Sequence, residues 1–190
     1  MLAAGGDWLE IAIWNPDGTQ AEMSGNGTRI AAKWLAARTG ASEVAVRVGP
    51  LAVRARMQDG DLVQQDLGEV SVGEPEEAAG IRFTPVIVGN PHAVVEGDPA
   101  DLPRIGPLLE THERFPQRTN VQVARWADDR IEARVWERGA GETASSGSSA
   151  VAVAAALGAL DATVHFPGGP LHVRFSDGRA LLTGPAVRED

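Results

Sequence analysis

The chain repeats itself at a spacing of about 120 residues, and both copies carry a Ser-Gly loop feeding an apolar helix. At an offset of 122, Asp7 falls on Asp129, Glu10 on Glu132, Trp14 on Trp136, Ser24 on Ser146, Gly25 on Gly147, Ala32 on Ala154 and Leu35 on Leu157. With only five tryptophans in 190 residues, the Trp14–Trp136 coincidence argues against chance. Past the helix the offset slips to 120, so that Gly49-Pro50-Leu51-Ala52-Val53-Arg54 falls on Gly169-Pro170-Leu171-His172-Val173-Arg174. Such a slip is what an insertion or deletion in a loop leaves behind. Two equivalent loops in a duplicated protein are expected to face one another across a shared cleft, where ligands bind preferentially.

The repeat also measures length. About 58 residues separate Val70 from Asp129, whereas six precede Asp7. The expectation is a first half lacking roughly 50–60 residues of its beginning, with halves at 1–70 and 71–190, the first of them truncated. An insertion in the second half is the alternative.

Composition narrows the function classes. A hydrophobic content of 43% suffices for a core, and a net charge of −9 without any basic run argues against nucleic acid or an anionic membrane as partner. The absence of cysteine excludes disulfides, thiolate metal sites and thiol catalysis, and the four histidines show no metal-ligand spacing, so no metal is expected. No cofactor signature occurs: neither a phosphate-binding G-x-x-x-x-G-K-[ST] nor a G-x-G-x-x-G opening a βαβ unit is present. A serine-hydrolase elbow, G-x-S-x-G, is also missing. The longest apolar stretch, Ala150 to Leu160, is too short to span a bilayer, and nothing marks secretion, so the expected location is the cytoplasm.

The periodicity predicts a strand over Leu9–Trp14, a turn at Asn15-Pro16-Asp17-Gly18, and a helix from Thr28 to Arg38 with Ile30, Ala31, Trp34 and Leu35 as its apolar residues and a stop at Gly40. Strands follow at Val44–Val48, Leu51–Met57 and Leu62–Leu67. The second unit repeats that order: strand Arg130–Trp136, helix Ser149–Leu157, strands Thr163–Phe166, Leu171–Phe175 and Ala180–Thr183. Between the units, Ser71–Gly80 reads as a linker, Ile81–Val88 as a strand ending in Gly89-Asn90-Pro91-His92, Asp101–His112 as a helix, and Val121–Trp126 as a strand. Trp14 and Trp136 are expected in the core. The class is α+β, with each unit a single central helix among strands.

A helix N-terminus opened by glycine presents unpaired N–H groups and partial positive charge, which suits carboxylate or phosphate. Gly25-Asn26-Gly27 and Gly147-Ser148-Ser149 both have this design. Ser24 and Ser146 can alternatively be plain helix caps. Asn15 and Asn90 can be turn residues before proline, Asn120 can satisfy a loop backbone, and Glu137 with Arg138 can form a surface ion pair.

Several blocks, in one order along the chain, carry a resemblance. Trp14-Asn15-Pro16-Asp17-Gly18 followed by Met23-Ser24-Gly25-Asn26-Gly27-Thr28-Arg29 resembles the diaminopimelate epimerase signature, in which Cys precedes Gly-Asn-Gly. Gly89-Asn90-Pro91-His92, then Glu110-Thr111-His112-Glu113-Arg114-Phe115-Pro116 with Thr119-Asn120-Val121, resemble further family blocks. Glu137-Arg138-Gly139-Ala140-Gly141-Glu142-Thr143 with Ser146-Gly147-Ser148 resembles the last, where Cys again precedes Gly, and Gly184-Pro185-Ala186-Val187 is similar to the closing segment.

The resemblance implies two pseudo-symmetric domains, each a central helix wrapped by a mostly antiparallel sheet, the N-terminal one incomplete, with the active site between them. It implies cofactor-independent inversion at the α-carbon of LL-diaminopimelate to the meso form, a step toward lysine and peptidoglycan precursors, by a small-molecule isomerase that is plausibly a homodimer. One group removes the α-proton while another delivers a proton to the opposite face. By the resemblance Ser24 and Ser146 occupy these two catalytic positions, His92 and Glu137 sit beside them, and Asn15, Asn90, Asn120 and Arg138 bind substrate. Gly25, Asn26, Gly147 and Ser148 then supply backbone or side-chain donors. The chain departs from the family pattern in having Ser for Cys at both catalytic positions, Ala93 where another Cys is frequent, and no Gly-Asn-Asp-Phe-like opening strand. A serine is a far weaker acid than a thiol and needs a neighbouring base to act, and His92 and Glu137 are the candidates. These departures keep open an amino-acid-binding pseudoenzyme, or a divergent isomerase of the same fold acting on another amino acid.

Overall fold

The computed structural model describes residues 3–4, 6–14, 18, 20 and 23–187. The first unit runs β1 (Ala3–Ala4), β2 (Trp8–Ile11), α1 (Gly25–Thr39), β3 (Glu43–Val48), β4 (Leu51–Met57) and β5 (Leu62–Glu69). There follow β6 (Ser71–Val72), β7 (Glu76–Ala78), β8 (Ile81–Ile87), β9 (Pro91–Glu96), a 3₁₀ turn at Pro99–Asp101, α2 (Leu102–Glu110) and β10 (Asn120–Ala127). The last part contains β11 (Arg130–Glu137), β12 (Gly141–Thr143), α3 (Gly147–Ala156), β13 (Asp161–Phe166), β14 (Gly169–Ser176) and β15 (Arg179–Pro185).

The repeat visible in the sequence is also a repeat of topology. In each unit the strand before the helix pairs in parallel with the strand after it, β2 with β3 and β11 with β13. The next strands then zigzag antiparallel, β3-β4-β5 and β13-β14-β15. The offset changes twice along this path. It falls from 122 at the helix starts to 118 at β3 and β13, because α3 is shorter than α1, and returns to 120 at Leu51 and Leu171, because the second hairpin is longer.

All the strands join in one sheet. From one edge the order is β1, β2, β3, β4, β5, β15, β14, β13, β11, β10, β9, β8, β6, with β12 flanking β11 and β7 flanking β8. The seam between the halves is the antiparallel β5–β15 pair, with Leu182 opposite Gln65 and Gly184 opposite Val63. Apart from β2–β3, β11–β13 and β9–β10, every strand pair is antiparallel.

The sheet curls around the helices to different degrees. Beyond Ser148 and Ser149 in its first turn α3 is apolar all round, Gly147 to Ala154 are all buried, and it packs on β8, β9, β10, β11, β13, β14 and β15. Such a helix has no polar face to offer water and is stable only when enclosed. Burial of Val151 and Val153 alone stabilises by roughly 1.5–3 kcal/mol each. α1 packs on β2 to β5. Its inner face, Ala32, Leu35 and Ala36, is buried, but Ile30 is 60% and Trp34 43% exposed. Apolar helix residues thus face outward here: among the described residues, nothing in the first unit corresponds to β8, β9 and β10, the strands that cover the matching side of α3. The exposed indole of Trp34 lies instead under the Arg38 guanidinium, 4.8 Å from its centroid.

Other expectations shift in detail. Both helices begin earlier than the apolar periodicity places them, α1 at Gly25 and α3 at Gly147, because the glycine segments themselves form the first turns. Ser71–Gly80, read as a linker, contains β6 and β7. β9 was not foreseen: Pro91 opens it, where a strand tolerates proline, and Ala93-Val94-Val95 is buried without alternation. Trp14 is 65% exposed and forms an isolated bridge to Gln20, so its expected core place is overturned. Trp136 packs partly buried against α2. No helix among the described residues is long and apolar enough to cross a membrane.

Candidate active site

The N-termini of α1 and α3 meet end to end. A Cβ placed on Gly25 would lie 2.8 Å from the Gly147 Cα and 3.2 Å from the Ser148 nitrogen, and one placed on Gly147 would lie 3.0 Å from the Gly25 Cα. Only glycine lets two backbones approach so closely. Each helix end carries roughly half a positive charge and a set of unpaired N–H groups, so their juxtaposition is repulsive unless something negative lies beside it.

Ser24 and Ser146, the residues before these glycines, are both extended N-caps with φ near −140°. Their hydroxyls differ in use. Ser24 Oγ accepts the Gly27 N–H at 3.0 Å, whereas the Ser146 side chain makes no cap hydrogen bond. Ser146 and Ser148 are buried, and Ser24 is half-buried.

Asn26 ties the two halves together. Its Nδ2 donates to Ser145 O across the junction at 3.0 Å, and its Oδ1 accepts from Arg29 Nη2 at 2.9 Å. Arg29 is buried, donates from Nε to Pro185 O, and has no carboxylate partner or Nη1 partner among the described residues. Burial draws its pKa down, but a guanidinium remains charged at any ordinary pH. The junction thus holds a third positive group. Gln65 on β5 braces the first turn of α1 from below. With its amide oxygen toward Thr28, it accepts from the Thr28 hydroxyl at 2.7 Å and the Arg29 N–H at 3.0 Å, while its nitrogen donates to Gly25 O.

A second cluster forms on β9 and β10, which run parallel with Asn120 opposite His92. His92 is 1% exposed, with Nε2 2.8 Å from Asn90 Oδ1 and Nδ1 2.9 Å from Gln122 Nε2. Burial, aided by the Arg138 charge, pushes its pKa down to about 3 against the opposing Gln122 hydrogen bond, so the ring is neutral at physiological pH. Gln122 Nε2 also donates to Ser149 Oγ on α3, which links the cluster to the helix end.

Asn120 and the 137–139 loop form the third piece. Asn120 Nδ2 donates to Pro91 O and its Oδ1 accepts from the Arg138 N–H. Glu137 Oε1 accepts from the Thr143 hydroxyl at 2.6 Å. Below them Glu110, buried at the end of α2, accepts from Gly139 N and Trp136 Nε1 and lies 3.5 Å from Arg118 Nη1. Gly106 on α2 leaves room for the Trp136 ring, which a Cβ there would meet at 2.8 Å. Among the described residues, no three His, Asp or Glu side chains gather to hold a metal ion.

Of the residues singled out from the sequence, Gly25, Asn26, Gly147 and Ser148 meet at the helix junction, where Ser24 and Ser146 are the caps. Asn90 and His92 are bonded directly, and Asn120 is bonded to Pro91 and Arg138. Asn15 lies outside the described residues. Sequence reasoning gave no individual role to Gln122, Ser149, Arg29 or Glu110. The signal for Gln122 was present, since alternation along β10 places it on the same face as Asn120.

Comparison with known proteins identifies the family. The family model for diaminopimelate epimerase matches residues 84–189. The diaminopimelate epimerase of Synechocystis sp. is 38% identical over 97% of this chain and 77% of its own length. That of Pelotomaculum thermopropionicum is 36% identical over 94% and 75%. Among solved structures, a predicted epimerase from Pseudomonas aeruginosa superposes with a TM-score of 0.74 at 18% identity, over 96% of this chain and 78% of that one. A hydroxyproline epimerase from Agrobacterium vitis superposes with a TM-score of 0.66 at 18% identity, over 93% and 67%. The closely apposed helix ends, their serine caps and the polar loops around them therefore lie in a chain that belongs to the diaminopimelate epimerase family.

Proposed function

We propose that this chain is a cofactor-independent amino-acid epimerase that inverts the α-carbon of LL-diaminopimelate to the meso form. The observation that carries the reading is the Gly25–Gly147 contact, which brings two helix N-termini together beside the buried Arg29 guanidinium. Converging helix N-termini and a guanidinium favour an anion, and the α-carboxylate of an amino acid is one. It also solves the chemical problem of acidity. When the α-proton leaves, the electron pair delocalises into the carboxylate, and N–H groups already aimed at that carboxylate stabilise the added charge.

In this reading Ser24 and Ser146 stand at the two proton-transfer positions, one taking the proton from the α-carbon and the other delivering one to the opposite face. An alcohol is a far weaker acid than a thiol of pKa near 8.5, so turnover is slow compared with a thiol pair. Ser24 is the better placed as base, because an oxygen accepting an N–H at a helix N-terminus is favoured in its anionic form. Glu137 assists from beside the second position. His92 is neutral and enclosed, which suits it to holding Asn90 in place and not to carrying the proton itself.

A second reading, binding without turnover, draws on the same serines: neither hydroxyl has a base hydrogen-bonded to it among the described residues, and that contact is the usual means of activating serine. Incubating the protein with LL-diaminopimelate in D2O and following the α-proton signal separates the two. Solvent deuterium entering with inversion supports the epimerase, saturable binding without exchange supports the binding protein, and the absence of both would falsify the proposal.

A further inference from the structure

The polar cluster on β9 and β10 contains a residue with no assigned role, Gln122. We infer that Gln122 is a positioning residue: through the buried His92 ring it sets which end of the Asn90 amide faces a ligand. The part of this inference that concerns the ligand rests on the function proposed above; the part that concerns His92 does not.

The argument is one of donors and acceptors. A neutral imidazole has one N–H and one bare nitrogen, and both ring nitrogens of His92 are engaged, Nδ1 with Gln122 Nε2 at 2.9 Å and Nε2 with Asn90 Oδ1 at 2.8 Å. Only two patterns close this chain. In one, the Gln122 amide nitrogen donates to bare Nδ1, Nε2–H donates to Asn90 Oδ1, and the Asn90 NH₂ is left to serve a ligand. In the other, the Gln122 oxygen accepts from Nδ1–H, bare Nε2 accepts from the Asn90 NH₂, and Asn90 turns its oxygen outward. Reversing the amide at one end reverses the amide at the other.

Gln122 is fully buried, and its other contacts decide between the patterns. Its nitrogen has a second acceptor, Ser149 Oγ on α3 at 2.9 Å, which uses both amide hydrogens and leaves only Oε1 without a partner. The reverse orientation instead strands an NH₂ with two buried hydrogens. An unpaired carbonyl oxygen is the more tolerated of the two. Gln122 therefore holds His92 as the Nε2–H tautomer, and Asn90 is set to donate. Donors are what a carboxylate ligand needs.

The test uses the intact protein without ligand. Nitrogen–proton correlation spectra of the histidine rings, with His92 assigned by its disappearance in His92→Gln, are expected to show Nε2 protonated and Nδ1 bare. In Gln122→Glu a carboxylate faces Nδ1, and that nitrogen is expected to gain a proton, whether as the reversed tautomer or as imidazolium. In Gln122→Met, which keeps the bulk without the amide, the tautomer preference is expected to be lost. Should His92 carry its proton on Nδ1 in the native protein, or keep Nδ1 bare in both variants, the inference is overturned. Affinity for meso-diaminopimelate is expected to fall about tenfold in Gln122→Glu, as for one lost or reversed hydrogen bond; if no ligand binds the native protein, the ring spectra still stand or fall by themselves.

Discussion

Ser24 and Ser146 occupy matching places in the internal repeat, yet Ser24 spends its hydroxyl on the Gly27 N–H and Ser146 makes no side-chain cap. The same residue type at the same helix position thus does unequal structural work. Ser24→Ala is expected to cost about 1 kcal/mol of stability through the lost cap, and Ser146→Ala only a few tenths. Urea unfolding of the two variants measures the difference, and equal losses would contradict it.

Restoring thiols should affect chemistry more than stability. Ser24→Cys with Ser146→Cys is expected to raise the rate of α-proton exchange on the order of a hundredfold, the lower end of what well-poised acid–base groups contribute. Deuterium uptake into diaminopimelate followed by proton NMR reports the rate. A double variant no faster than the native chain would show that the serines are not the limiting groups.

The backbone contact of Gly25 with Gly147 leaves no room for a methyl group on either residue. Gly25→Ala and Gly147→Ala are each expected to destabilise by about 1–3 kcal/mol as the helix ends are pushed apart. Both should also weaken amino-acid binding, seen by calorimetric titration, because the N–H groups would no longer converge.

His92 makes stability depend on pH in a definite direction. Its pKa is about 3 in the folded protein and 6.5 when unfolded, so between those values the unfolded chain binds the extra proton. Its contribution is complete above pH 6.5 and is lost as pH falls toward 3. Comparison of native protein and His92→Gln by urea unfolding from pH 6 to 4 should show an additional slope of about 1.4 kcal/mol per pH unit in the native protein.

A Cβ on Gly106 would meet three atoms of Trp136 at 2.8–2.9 Å. Gly106→Ala is expected to cost about 1–3 kcal/mol, and pairing it with Trp136→Ala, which removes the clashing Cγ and Cδ2, should recover part of that loss. The recovery, read as a thermal-melting shift in a double-mutant cycle, distinguishes this clash from a general effect on α2. Loss of the Trp136–Glu110 hydrogen bond sets the limit on recovery.

Much of the architecture was legible because it is written in local signals. Leu51–Met57 alternates from Val53 onward and is a strand with those bounds, and the Ser-Gly segments announced both helices. What escaped depends on contacts between distant residues. Ile30 and Trp34 have apolar side chains at helical spacing, but whether a helix face is covered depends on strands elsewhere. His92 was a candidate base through the family resemblance; only the enclosure by β9, β10 and α3 makes it a neutral ring. Asn26 was identified as a donor to a ligand, and the structure adds that one of its hydrogens already bridges to Ser145 in the other half. Gln122 escaped for a different reason: the recognisable motifs lie in loops, while this amide works from inside a strand.

The seam between β5 and β15 bears on how the chain is made. β5 is complete by Glu69, but its partner begins at Arg179. A ribosome adding about 5–20 residues per second therefore leaves the open margin of β5 unpaired for several seconds after it emerges. A nascent strand with buried-type residues Val63, Gln65 and Leu67 and no neighbour on that side is a template for pairing with another chain. The enclosed α3 unit can gather its own strands as they appear, whereas the early half must wait for the last strand of the sheet. Yield on expression should thus respond to chaperone supply and growth temperature more steeply than the finished fold's stability alone would suggest.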